Sequence, residues 1–158
     1  MNITHESMMA LTAEMPMKEI IINGEIYLQR YFAHQLADGT QVWYHRFLRN
    51  DSERHLHSHP WCARSKILIG SYVEESRSEA GDFNVSQKYF AGDANNIWHD
   101  TIHRIVEVEP DTWTMMIVSP SRKPTWHFIE ADGTKTEMQA SPFEWSKDFK
   151  ARDSDESN

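Results

Sequence analysis

From Lys18 onward the apolar residues come in short runs separated by turn residues, and most runs alternate apolar with polar. That period of two belongs to β-strands, whose successive side chains leave opposite faces. Lys18 to Ile22 passes through Asn23-Gly24 into Ile26 to Phe32, which predicts two strands joined by a tight turn. Ala37-Asp38-Gly39-Thr40 marks the next turn, and Gln41 to Arg49 follows with apolar residues on both alternating sets. Such a strand is covered on both faces, and alternation lets only one of His45 and Arg46 point inward. Ser65 to Glu74 reads as a strand bent at Gly70, Glu75 to Asp82 as an exposed loop, and Phe83 to Phe90 as a weak strand ending in the turn Ala91-Gly92-Asp93. Strands are also predicted over Ile97 to Val106, Asp111 to Val118 and Thr125 to Glu130, the last ending at the hairpin signal Ala131-Asp132-Gly133-Thr134.

Eight or more short strands at regular spacing predict an antiparallel barrel or jelly roll whose inward positions line a pocket. The ends differ from this middle. Met1 to Met17 suits a short helix or a loose arm, with Thr4 and Ser7 as possible caps, and Ser141 can cap a short closing helix over Pro142 to Lys150. The expected organisation is an N-terminal arm (1–17), one barrel domain (18–150) and a disordered acidic tail (151–158).

Length and composition agree with one domain. The 158 residues include 6 Trp, 7 Phe and 5 Tyr as core material, and no apolar block reaches the roughly 18 residues that a membrane span needs. Met1 to Met17 lacks the basic and apolar regions of a secretion signal, so a cytoplasmic location is the default expectation. A single cysteine, Cys62, excludes an intrachain disulfide. The net charge of −8 repels phosphate backbones, which disfavours nucleic acid as a partner, although Arg46, Arg49, Arg54 and Arg64 cluster in sequence.

The chemistry concentrates in His55-Leu56-His57-Ser58-His59, which holds three of the nine histidines. Side chains two apart on a strand can reach one ion from the same side, and imidazole is the commonest protein ligand for Zn, Fe, Cu and Ni. A histidine-rich surface turn is the plain alternative. An inward Arg46 would hold an anion, and the alternative there is an ion-paired arginine at a strand edge.

At this point the chain resembles the cupin superfamily. His57-Ser58-His59 supplies the H-x-H of the first cupin motif, G-x5-H-x-H-x3,4-E-x6-G, and Gly70 stands at its closing glycine. Gly92 opens the second motif, G-x5-P-x-G-x2-H-x3-N, and His103 falls at its histidine. The departures are Asp51 for the first glycine, Ala63 for the ligand Glu, Trp98 for the proline, Asp100 for the second glycine and Glu107 for the Asn. The order of Tyr44 to Arg49, His57 to Trp61, His103-Arg104 and Trp113-Thr114 also looks like a group of small cupin-like proteins of bacterial and phage genomes.

The resemblance implies an all-β double-stranded β-helix, a cupin-type jelly-roll barrel, with a short C-terminal helix and flexible ends. It implies a metal held by His57, His59 and His103 without a carboxylate, since Ala63 replaces the Glu. One divalent ion is expected, Fe(II) first, with Zn, Ni or Mn as alternatives. The expected activity is a three-His mononuclear Fe(II) dioxygenase acting on a small polar or anionic substrate. Alternatives are a non-oxidative isomerase or hydrolase, or a non-catalytic ligand-binding or sensor module. His55 and His99 are candidate acid/base groups, each also readable as an exposed histidine, and Arg64 and Arg46 are candidates to bind a substrate anion. Trp61, Trp98, Trp113 and Trp126 read as core. A homodimer is expected from the resemblance alone.

Overall fold

The computed structural model describes residues 3–50, 55–77, 84–130 and 132–140. The expected closing helix over Pro142 to Lys150 and the acidic tail lie outside the described residues. One helix, α1 (His5–Thr12), precedes β1 (Met17–Ile22), β2 (Glu25–Gln35), β3 (Gln41–Phe47), β4 (Leu56–His57), β5 (Trp61–Ile69) and β6 (Ser71–Arg77). The chain continues through β7 (Asn84–Phe90), β8 (Ala94–Ile97), β9 (His103–Val108), β10 (Thr112–Arg122), β11 (Thr125–Ile129) and β12 (Lys135–Gln139). They form two six-stranded antiparallel sheets, in the orders β1-β2-β3-β10-β5-β8 and β12-β11-β4-β9-β6-β7. This is the all-β jelly roll that the strand spacing predicts.

Gly70 is the corner between the sheets. The expected single bent strand over Ser65 to Glu74 is in fact two strands, with β5 in the first sheet and β6 in the second. Gly70 takes φ +79°, and a Cβ there would collide with Thr112 Oγ1. Only glycine suits both the left-handed backbone and that approach.

The predicted strand over Ile97 to Val106 is likewise split. Trp98 N–H donates to Thr101 Oγ1 in a turn between β8 and β9, and the Trp98 side chain is 61% exposed. Trp98 is therefore not core, which corrects the sequence expectation: the turn takes its side chain out of the pleat. Trp113, in contrast, is fully buried, and Trp61 is buried as well.

Between the sheets, Tyr27, Leu28, Phe47, Ile67, Tyr72 and Val108 pack at one end, and Trp43, Trp61, Ala63, Ile97, Met116 and Val118 at the other. A third cluster, Met8, Tyr31 and Trp113, lies where α1 covers the outer face of the first sheet. Thr4 and Ser7 cap this helix reciprocally. Met8 is 3% exposed, a burial that stabilises the docked helix by about 2 kcal/mol. The expectation that β3 is covered on both faces follows from this arrangement: His45 faces the interior, while Tyr44 packs beside α1.

Candidate metal centre

β4 and β9 are adjacent antiparallel strands, and His57 and His103 are direct partners in their register. Opposed side chains on one face of such a pair stand close together. His59 follows in the link to β5. That link is pinned to β11, because Ser58 N–H donates to His127 O at 2.9 Å and Ser58 Oγ accepts from His127 N–H at 3.0 Å. The His59 ring stacks on Trp61 with centroids 4.1 Å apart. One ligand atom from each of His57, His59 and His103 lies within 4.8 Å of the others. A sequence separation of more than forty residues is closed by sheet pairing alone.

The far sides of two rings are fixed. His57 Nδ1 lies 3.0 Å from His55 O, and His103 Nδ1 lies 2.7 Å from Glu74 Oε2. A carbonyl and a carboxylate accept, so each Nδ1 carries the proton and each Nε2 presents its lone pair. Nε2 of His59 is 3.0 Å from Nε2 of His103. Two ring nitrogens bound to one ion at bonds of about 2.1 Å and a right angle would be about 3.0 Å apart. The His59 and His103 nitrogens thus stand at the spacing of two ligands on one divalent ion, His57 completes the group within 4.8 Å, and no carboxylate is among the three. Ala63, at the position where the cupin pattern has its Glu, packs against aromatic and aliphatic neighbours instead.

Glu74 is the carboxylate of this site, placed behind a ligand rather than beside the ion. It is 6% exposed, and Asn95 Nδ2 donates to the same oxygen at 2.8 Å. Asn95 and Ser65 also hydrogen-bond the Tyr72 hydroxyl. Burial, and then the charge of Glu74, push the Tyr72 phenol well above its ordinary value, so it stays protonated. Glu74 and Asn95 were not singled out in the sequence. The available signal was an acidic residue sharing the inward alternation of β6 with Tyr72.

The histidines open onto a cavity of about 60 Å³ between the sheets. Arg30, His45 and Thr114 of the first sheet line it opposite His57 and His103 of the second. Leu28, Phe47, Ile97 and Met116 supply its apolar walls.

The structure brings the three expected ligands together, whereas none of the four expected acid/base or anion-binding residues lines the cavity. Arg46 lies on the outer face of β3, donating from Nε to Asp111 Oδ1 at 2.8 Å, because alternation gives the inward position to His45. Arg64 is exposed on the outer face of β5 by the same rule. The exposed His55 offers the site its carbonyl, while its ring meets Phe128 edge-on. His99 sits in the turn before β9, where desolvation, and then Lys123, lower its pKa.

No family model matches the chain, and no curated protein matches its sequence. Solved structures do match. An iron(II) form of HppE with an alternative substrate superimposes with TM-score 0.55 at 9% identity, over 67% of this chain and 56% of that one. An oxalate decarboxylase variant from Bacillus subtilis gives TM-score 0.54 at 12% identity, over 68% of this chain and 28% of that one. Both neighbours are cupin-fold proteins.

This chain has the cupin fold.

A further neighbour is Drosophila melanogaster CENP-C bound to CAL1, with TM-score 0.53 at 15% identity, over 71% of this chain and 92% of that one. The chain thus spans little more than half of the HppE chain but nearly the whole of the CENP-C one. At these identities the likeness carries the fold, and the functional reading has to come from the site. Among the described residues, no helix is long and apolar enough to cross a membrane.

Proposed function

We propose that this cupin is a mononuclear iron(II) dioxygenase acting on a small polar or anionic substrate. The observation that carries the reading is the set of three imidazoles, without a carboxylate, at one side of a largely apolar cavity. Iron(II) bound there would keep its full positive charge and supply adjoining positions for dioxygen and an anionic substrate. His57, His59 and His103 would hold the ion through Nε2. Glu74 orients the His103 ring and raises its donor strength, and Trp61 holds the plane of His59 by stacking. Leu28, Phe47, Ile97 and Met116 keep bulk water from the reacting atoms. Both oxygen atoms enter the substrate in such a reaction, so no external reductant is needed.

The test is metal analysis of protein purified anaerobically, together with oxygen uptake after reconstitution with ferrous iron, for the native chain and His103→Ala. The expected result is one iron per chain and acid- or thiol-dependent oxygen uptake, both lost in the variant. One zinc, nickel or manganese without oxygen uptake would turn the reading to a hydrolase or isomerase in which the ion acts as a Lewis acid. Absence of metal even after reconstitution would overturn it. A second reading, a cupin-fold protein that binds a ligand or partner without turnover, is favoured by the likeness to CENP-C bound to CAL1, which the match covers to 92% of that chain and 71% of this one.

A further inference from the structure

Arg30, His45 and Thr114 occupy one row across three neighbouring strands. Arg30 of β2 pairs with His45 of β3, and His45 pairs with Thr114 of β10. All three line the cavity that holds the histidine cluster, on the sheet opposite His57 and His103. Face-to-face sheets stand about 10 Å apart, a gap that one small molecule can bridge. The guanidinium is held in place rather than swinging: Arg30 Nε donates to His45 Nε2 at 3.0 Å, and Cζ lies 4.8 Å from the Trp43 ring centroid. Acceptance at Nε2 requires a neutral His45 with its proton on Nδ1. Thr114 is 1% exposed, and its Oγ1 has no hydrogen-bond partner among the described residues. A buried hydroxyl without a partner costs about 1–3 kcal/mol, and this one faces a cavity.

Arg104 also lines the cavity, and Glu75 holds it at 2.6 Å. Glu74, the acidic one, is turned to His103 and Asn95. A volume of about 60 Å³ admits a molecule of about four to six non-hydrogen atoms.

We propose that Arg30 and Thr114 form the substrate-recognition wall of the cavity, selecting a small carboxylic acid whose carboxylate pairs with Arg30 while Thr114 Oγ1 hydrogen-bonds the same molecule. The inference rests on the reading of His57, His59 and His103 as a metal centre, which the acid would reach with its other end. His45 is a positioning residue that aims the guanidinium.

The experiment is calorimetric titration of the cobalt(II)-loaded full chain with propionate and with propionamide, its neutral isostere. Propionate is expected to bind at least about tenfold more tightly, the usual worth of a charge-assisted hydrogen bond. Arg30→Gln should remove that preference while cobalt content stays unchanged, and Arg30→Lys should restore part of it. Thr114→Val should weaken both ligands severalfold. Equal affinity of the native protein for both ligands, or a preference that survives in Arg30→Gln, would overturn the wall. So would unaltered binding in Thr114→Val, which would leave that hydroxyl to water. Failure of the dioxygenase reading looks different: propionate binds selectively, yet no acid supports oxygen uptake in the iron form.

Discussion

Glu74 Oε2 lies 2.7 Å from Nδ1 of His103, and the two belong to neighbouring strands of the second sheet. The carboxylate fixes the tautomer and tilt of the ring and makes Nε2 a better donor. Glu74→Gln keeps the shape but removes the charge, and it is expected to weaken metal binding about 10- to 100-fold. Competition with a chelator of known affinity measures this. Unchanged affinity would mean that Glu74 only fills space.

Arg46 separates the sequence reading from the structural one. An arginine that orients substrate would take ligand binding with it when removed. The structure instead ties Arg46 to Asp111 on the outer face, where Asp111 is half exposed. Arg46→Gln is expected to leave metal content and propionate binding as they are, and to lower stability by at most about 1 kcal/mol. Urea unfolding alongside titration decides between the two.

Two glycines give a paired test of backbone strain. Gly92 has φ +101° with nothing within 4 Å of an added Cβ, whereas Gly70 adds the approach to Thr112 to its φ of +79°. Gly92→Ala is expected to cost about 1–2 kcal/mol from the left-handed backbone alone. Gly70→Ala should cost more by about 1–3 kcal/mol, since Thr112 must move. Equal losses in denaturant midpoint would contradict the corner assignment.

The hairpin aspartates set a pH dependence at the acid end. Backbone and side-chain hydrogen bonds from Thr40 hold Asp38 below its ordinary 3.8, and those from Thr134 do the same for Asp132. A carboxyl depressed in the folded state stabilises it above the unfolded pKa, and that contribution is lost as pH falls through the folded one. Between about pH 5 and pH 2, Asp38→Asn and Asp132→Asn should each flatten the fall of stability with acid. Denaturant midpoints across that range are the measurement. Slopes identical to the native protein's would exclude the carboxylates as the source.

The strands were legible because one-sided burial stamps a period of two on the sequence, and turn chemistry marks their ends. Asn23-Gly24, Asp38-Gly39 and the Thr4 cap all appear where local rules put them. The three histidines were legible too, through their resemblance to the cupin motifs. Trp98 was not, because periodicity cannot say whether a strand runs on or turns, and the Thr101 hydroxyl decides it. Glu74, Asn95, Arg30 and Thr114 lie scattered over four strands, and no local pattern marks them. By itself the sequence determined which residues of a strand share a face, since that depends on alternation along one strand, but not, for β3, which face is inward. Only the tertiary structure decided which inward residues meet: register between strands is a long-range choice, set by packing and pairing. It put Glu74 behind His103, and Arg30 rather than Arg46 in the cavity.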